Sequence, residues 1–195
     1  MSWPSENRFF STDRREAMPS KYSFTNYSAE WPIEFEREAE RLRLLIGDEL
    51  VAVHHIGSTS VPGLAAKPVI DLIPIARDIV TIDDCTPRLV DAGYKAWGEY
   101  GIVGRRFFTK DAGENRTHNL HVFADGNPEI ERHLALCAYL RHNGSACREY
   151  AALKREVYAR HPADIAAYND GKDAWIKRTE PLAIEWFRRA SSSQP

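Results

Sequence analysis

The sequence has 195 residues, a formal net charge of −2 and 43% hydrophobic residues, an ordinary composition for one globular domain. The small negative charge argues against extended nucleic-acid binding, and no apolar run approaches the ~20 residues of a membrane-spanning helix. Three cysteines without disulfide or metal-binding spacing favour a reducing, cytoplasmic location. Residues 1–22 and 191–195 are polar and irregular, which predicts flexible tails around a single domain at 23–190.

The first part of that domain alternates between helix and strand patterns. A helix is predicted over 30–46, with Ser28 as its cap and Gly47 as its stop. A second helix is predicted near 84–92, where Pro87 fits the first turn. Five strands are predicted from apolar runs bounded by turn residues, at 50–56, 69–76, 94–97, 105–110 and 117–124.

The second part of the domain has a helical pattern throughout. Helix breaks are predicted at the glycine and proline residues of this part, Gly144, Pro162, Gly171 and Pro181. An α/β part at 23–126 is therefore followed by a helical part at 127–190, which predicts the α+β class. No linker-like segment separates the two parts, so we expect one domain.

The most informative segment is 54–73, where an apolar strand enters a hydroxyl-rich turn and leaves as a strand carrying Asp71. Backbone N–H groups and hydroxyls of a Gly-Ser turn can hold phosphate oxygens. A carboxylate flanked by apolar residues is unfavourable unless it binds something. The alternative is an ordinary turn, with Asp71 as a local backbone cap.

Strand alternation sorts the histidines near this segment. His118 and His121 point to opposite faces of their strand, as do His54 and His55, so neither pair can chelate one ion from a regular strand. We favour His121 and His55 as the members that face a cleft. The alternative for each is a core or surface imidazole.

The run HIGSTSVPGLAAKPVIDL resembles the signature of the GrpB family, a branch of the nucleotidyltransferase superfamily. Further motifs similar to those of the family follow in order across residues 24–188, at 27–32, 101–108, 117–123, 150–154 and 168–172. The resemblance implies a nucleotidyltransferase-like fold, with a small mixed β-sheet, packed helices and a helical C-terminal half that closes one side of a cleft.

The resemblance also implies a Gly-Ser turn for nucleotide phosphates and two acids, spaced Asp-x-Asp, that hold magnesium together with a third acid. Ile73 occupies the second acid position here, and His121 stands where the third is expected. One carboxylate predicts at most a single, weakly held magnesium ion, with Asp71 and His121 as its ligands and as the catalytic residues. The predicted ligand-binding residues are donors and cations: Gly57, Ser58, Thr59, Ser60, Lys67, Arg105, Arg106, Tyr168 and Lys172.

These residues predict a protein that binds a nucleotide or similar small phosphorylated ligand, with nucleotidyl or related group transfer if the site is active. Family members fused to dephospho-coenzyme A kinase offer the alternative of a non-catalytic accessory domain. A transferase acting on an RNA-borne or amino-acid substrate is a further alternative, limited by the charge to a short nucleic-acid contact. For Tyr168 and Lys172 the alternative is a solvated surface pair.

Overall fold

The structure, a computed structural model, describes residues 23–192, so the tail predicted at 1–22 lies outside the described residues. Five strands form one mixed sheet in the order β1-β2-β5-β4-β3, in which only β2 and β5 are parallel neighbours. The elements in chain order are α1 Glu30–Ile46, β1 Leu50–Ile56, β2 Ile70–Ala76, α2 Ile79–Asp91, β3 Tyr94–Ala96, β4 Arg106–Ala112, β5 Asn115–Ala124, α3 Pro128–His142, α4 Gly144–Arg160 and α5 Ile165–Ser192. The predicted α+β fold with a helical C-terminal half is confirmed.

Helix α2 begins earlier than predicted, at Ile79. Asp78 caps it, because its carboxylate accepts a hydrogen bond from the backbone N–H of Val80 at 2.9 Å. Pro87 therefore lies inside the helix rather than in its first turn.

Helix α5 is continuous from Ile165 to Ser192, so the breaks predicted near Gly171 and Pro181 are wrong. A Cβ atom at Gly171 would lie 2.5 Å from Cγ1 of Val157. Glycine is therefore required where α5 crosses closely over α4, and tertiary packing overrides its weak helix propensity. The helix also extends beyond the predicted boundary at 190.

The sheet has two faces, because side chains alternate along each strand. The α1 face, which α1 and α2 cover, carries the largest apolar core, including Leu72, Phe108 and Leu120. On the opposite face, here called the α3 face, α3 packs against Ile73 and Phe123. No helix between residues 23 and 192 is both long and apolar enough to cross a membrane.

A third apolar cluster attaches the helical half to the segment that follows the Gly-Ser turn. Val61 and Leu64 of that segment pack against Leu140, Tyr150 and Trp175 of the three C-terminal helices. The helices are thereby held beside the turn.

Candidate functional site

Asp71, near the start of β2, lies directly against the Gly-Ser turn of residues 57–60. Its antiparallel partner on β1 is Ile56, the residue before Gly57. Gly57 has a φ of +70°, and a Cβ atom there would lie 2.5 Å from Oδ2 of Asp71. Only glycine suits both the backbone conformation and the close approach, so the turn and the carboxylate form one unit.

Asn119 holds the other carboxylate oxygen from the neighbouring strand. Asp71 and Asn119 are directly opposed in the parallel β2–β5 pair, and Asn119 Nδ2 donates to Asp71 Oδ1 at 2.7 Å. Arg116 donates to Asn119 Oδ1 at 3.2 Å, which orients the amide. Sequence reasoning missed both residues, because the β2–β5 register cannot be read from either strand alone.

Three basic side chains lie near enough to influence the Asp71 carboxylate: Lys67, Lys172 and Arg116, the last of which pairs with Asp111 at 2.5 Å. Burial raises the pKa of Asp71, while the Asn119 hydrogen bond and the positive charges oppose that shift without cancelling it. Burial also lowers the pKa of Lys67 to about 8, despite the attraction of Asp71. One acid therefore stands among several cations that are themselves poorly solvated.

Two of these lysines lie near the ring of Tyr168 of α5. The Lys172 Nζ lies 4.2 Å from the ring centroid of Tyr168 and the Lys67 Nζ lies 5.7 Å from it, a cation–π arrangement. Tyr168 is only 2% exposed, so the alternative of a solvated surface tyrosine is wrong. Lys172 also donates to Asn169 at 3.2 Å, and burial together with its lysine neighbours lowers its pKa well below the ordinary value.

The three hydroxyl residues of the turn have different surroundings. Thr59 donates to the Val69 carbonyl at 3.2 Å, and Ser60 donates to the Gly57 carbonyl at 2.8 Å. Both residues are buried, so we assign their hydroxyls to the internal structure of the turn, while their ligand contacts stay a prediction. Ser58 is partly exposed and adjoins the phenol of Tyr150.

His121 lies on the α3 face with Asn119, but its ring belongs to a separate cluster. Its Nδ1 lies 3.2 Å from Nη1 of Arg105, and its ring centroid lies 5.7 Å from that of His133 on α3. A guanidinium only donates hydrogen bonds, so the Nδ1 of His121 accepts. Burial lowers the pKa of His121, and the neighbouring His133 and Arg105 lower it further. Because the ring of His121 contacts Arg105 and His133, its contacts do not match the predicted pairing with Asp71 around one ion.

The two arginines predicted beside the cleft make contacts elsewhere in the fold. Arg105 is buried and donates to the Glu99 carbonyl at 3.1 Å and the Tyr100 carbonyl at 2.5 Å, which fixes the β3–β4 connection. Arg106 points to the α1 face and forms a two-pronged ion pair with Asp83 of α2, at 2.6 and 2.8 Å. The predicted ligand contact of Arg106 is therefore wrong.

The expectation that His55 faces the cleft is also wrong. Its ring stacks on Phe35 of α1 with 4.8 Å between centroids, and its Nε2 lies 3.0 Å from Oγ1 of Thr59. His54, paired with Ile73, is the member on the α3 face. Strand alternation separates His54 from His55, but nothing in the sequence determines which of the two lies on the α3 face.

The residues around Asp71 do not fit a magnesium centre. Among residues 23–192 no group of three histidine, cysteine, aspartate or glutamate side chains could hold a metal ion. Ile73 is fully buried at the second acid position, and the Asn119 amide is occupied by Arg116 and Asp71. Magnesium prefers a near-octahedral set of oxygen ligands, whereas this carboxylate is surrounded by ammonium and guanidinium groups.

The structure combines a small mixed sheet, a Gly-Ser turn packed against a strand carboxylate and a helical half that carries Tyr168 and Lys172. The family described as "GrpB protein" matches residues 21–181. The chain belongs to the GrpB family.

Three known proteins illustrate what the chain is similar to. YqkA of Bacillus subtilis is 46% identical over 160 residues, which cover 82% of this chain and 46% of YqkA, so the chain spans less than half of that relative. The crystal structure of the conserved protein GrpB from Enterococcus faecalis aligns with a TM-score of 0.81 and 39% identity, over 85% of this chain and 99% of that one. A dephospho-CoA kinase of Mycolicibacterium paratuberculosis is 28% identical over 182 residues, covering 80% of this chain and 44% of the kinase.

Proposed function

We propose that this protein binds a nucleotide or similar small phosphorylated ligand between the Gly-Ser turn and helix α5. The observation that carries the proposal is the charge balance at Asp71, where a single buried carboxylate is influenced by Lys67 and Lys172 as well as by Arg116, which already pairs with Asp111 at 2.5 Å. Clustered cations in a partly desolvated cleft favour an anion, and hydrogen bonds from ammonium and guanidinium groups to phosphate are among the strongest in proteins.

Group transfer is the catalytic form of the same proposal. An acceptor hydroxyl would attack the α-phosphorus of a nucleoside triphosphate, pyrophosphate would leave, and Asp71 would take the hydroxyl proton. The raised pKa of Asp71 suits a general base, and the resemblance of the turn to nucleotidyltransferases supports this reaction class. Ile73 at the second acid position argues for treating ligand binding as the primary function.

An accessory role in coenzyme A metabolism is the second candidate. The observation in its favour is that a protein named dephospho-CoA kinase aligns with 80% of this chain. Dephospho-coenzyme A contains an adenine nucleotide, so it would occupy the same basic cleft.

Thermal unfolding in the presence of ligand tests the proposal. The four common ribonucleoside triphosphates and dephospho-coenzyme A are each added with and without magnesium, and we expect at least one to raise the melting temperature. A ligand at one hundred times its Kd stabilises the native state by about 2.7 kcal/mol. A melting temperature that none of these ligands changes would contradict the proposal.

Two matched lysine variants locate the binding site. Lys172→Met removes a cation of the cleft, and we expect it to abolish the ligand-induced shift. Lys177→Met changes an exposed lysine of the same helix that pairs with Asp173 at 2.7 Å, so the shift is retained. Equal shifts in the two variants would place the ligand elsewhere.

A further inference from the structure

We propose that the site holds its phosphorylated ligand without a divalent metal ion, and that Lys154 joins Lys67 and Lys172 as a third ammonium group around a polyphosphate chain. The inference rests on the proposed function and names the ligand class, a chain of at least two linked phosphates. It also assigns a role to Lys154, the last residue of the motif at 150–154, which was not among the predicted ligand-binding residues.

Lys154 is the most unusual charged residue in the described part of the chain. It is 1% exposed, and its Nζ is the one buried side-chain nitrogen or oxygen among residues 23–192 without a hydrogen-bond partner. The ammonium lies over aromatic rings instead, 4.9 Å from the Tyr150 centroid and 6.0 Å from the Phe24 centroid. Burying an ammonium group without a bonded anion is unfavourable unless the group loses its proton, and an anionic ligand would supply the missing partner for the charged form.

Aromatic rings connect Lys154 with the other two lysines. The Phe24 ring lies 6.0 Å from the Lys154 Nζ and 6.2 Å from the ring of Tyr168, over which Lys172 and Lys67 lie. Tyr150, a neighbour of Lys154, adjoins Ser58 of the Gly-Ser turn. The three lysines therefore come from three parts of the chain, the segment before β2, α4 and α5, and lie over one group of aromatic rings, Tyr150, Phe24 and Tyr168.

Helices α4 and α5 each carry a lysine whose ammonium lies over the ring of a tyrosine. Lys154 lies over Tyr150 on α4, and Lys172 lies over Tyr168 on α5, in each case with the tyrosine one helical turn earlier. Each ring supports an ammonium group without neutralising it, because a cation–π contact supplies no formal negative charge. Both lysines thus keep N–H donors that a phosphate oxygen can accept.

The metal-free character follows from the same geometry. Phosphate-transferring sites ordinarily neutralise the ligand with magnesium held by carboxylates. Here the second acid is replaced by buried Ile73, and the remaining acid is already surrounded by basic groups. Ammonium groups supply the neutralising charge instead, and a magnesium ion would compete with them for the same phosphate oxygens.

Calorimetric titration with inorganic tripolyphosphate and with ATP tests the inference, each in EDTA and in excess magnesium. We expect binding in EDTA and weaker binding in magnesium. Lys154→Met should weaken the EDTA affinity by about ten- to a hundredfold, the equivalent of one charge-assisted hydrogen bond. Lys177→Met is the matched control and should leave the affinity unchanged.

Each contrary result has a distinct meaning. Binding that appears only with magnesium would overturn the metal-free inference and leave the proposed function standing. Absence of binding in both solutions would overturn the proposed function with it. Unchanged affinity in Lys154→Met would show that Lys154 does not contact the ligand. If Lys154→Met does not fold, Lys67→Met provides the test, because it is expected to lose affinity for tripolyphosphate in EDTA to the same extent.

Discussion

The sheet carries a buried polar cluster on each face, and the two clusters are balanced differently. On the α1 face, Glu38 accepts hydrogen bonds from Tyr94 and from Lys110, the latter at 2.6 Å. Burial raises the pKa of Glu38, but the bonds from Lys110 and Tyr94 outweigh burial and hold the pKa below its ordinary value. This cluster is complete within the protein, and its acid is stabilised in the charged form.

On the α3 face the balance is reversed. Asp71 has one hydrogen-bond donor, Asn119, and several cations around it, yet burial still raises its pKa. Lys154 has no hydrogen-bonded partner at all among the described residues. A buried charge that is paired within the fold stabilises the fold, whereas we infer that an excess of positive charge binds an anionic ligand from outside the chain.

The largest expected effect comes from breaking the balanced cluster. Glu38→Ala leaves the Lys110 ammonium without its carboxylate, and removing one partner of a buried pair costs about 3–5 kcal/mol of unfolding free energy. Urea unfolding measures the change, with Glu36→Ala, an exposed glutamate of the same helix, as the control. A loss no larger than that of the control would mean that the α1-face cluster is not stabilising.

The same substitution on the two faces should act in opposite directions. Lys110→Met removes the partner of Glu38 and destabilises the fold. Lys154→Met removes an unmatched buried charge and should raise the unfolding free energy by on the order of 1–4 kcal/mol. Destabilisation by both variants would contradict the contrast between the clusters.

The gain from Lys154→Met should depend on pH with a defined sign. Burial lowers the pKa of Lys154 from its ordinary 10.5 to about 7. The unfolded chain then binds more protons than the native one between these values, so native stability rises with pH across that interval. The loss of unfolding free energy caused by the buried ammonium of Lys154 is fully present below about pH 7. The stability advantage of Lys154→Met over the wild type should therefore shrink as the pH approaches 10.5. An advantage that grows with pH would contradict this expectation.

A smaller effect is expected at the contact between the turn and the carboxylate. Gly57→Ala places a Cβ atom 2.5 Å from Asp71 Oδ2 at a φ of +70°, which should cost about 1–3 kcal/mol. In an Asp71→Gly background the steric part disappears, so the same substitution should cost less. Equal costs in the two backgrounds would show that the close approach does not matter.

A still smaller effect is a change in bound protons when tripolyphosphate binds. The pKa values of Lys67 and Lys154 lie at about 8 and about 7, and an anion favours their charged forms. Binding near pH 8 should therefore take up protons, and the affinity should fall as the pH rises further. The other titratable and charged groups that act on the cleft lysines are Asp71, Arg116, Cys147, Arg155 and Lys172. Titrations in two buffers of different ionisation enthalpy measure the uptake, and proton release would contradict it.

Local patterns were sufficient to predict much of the framework. Helix α1 and strand β1 have the predicted bounds, because each follows a clear apolar period and ends at a turn residue. Gly171 was misinterpreted as a helix break, since its contact with Val157 belongs to the packing of two helices. Composition alone cannot separate a glycine that ends a helix from one that admits a neighbour.

The candidate site was only partly predictable for the same reason. The turn and Asp71 are close in sequence, so their association could be inferred. Asn119 depends on the β2–β5 register, and the surroundings of Lys154 depend on Phe24, which is far from it in the sequence. His121 shares the predicted face, yet Arg105 and His133 engage its ring from distant parts of the chain.

The most direct test of the account is the affinity of Asp71→Asn for tripolyphosphate in EDTA. Asparagine nearly matches the shape of aspartate and removes one negative charge from a cleft that we propose receives an anion. The account predicts that Asp71→Asn binds tripolyphosphate as tightly as the wild type or more tightly, without magnesium. A tenfold or greater loss of affinity in this variant would show that the carboxylate, and not the surplus of lysines, holds the ligand.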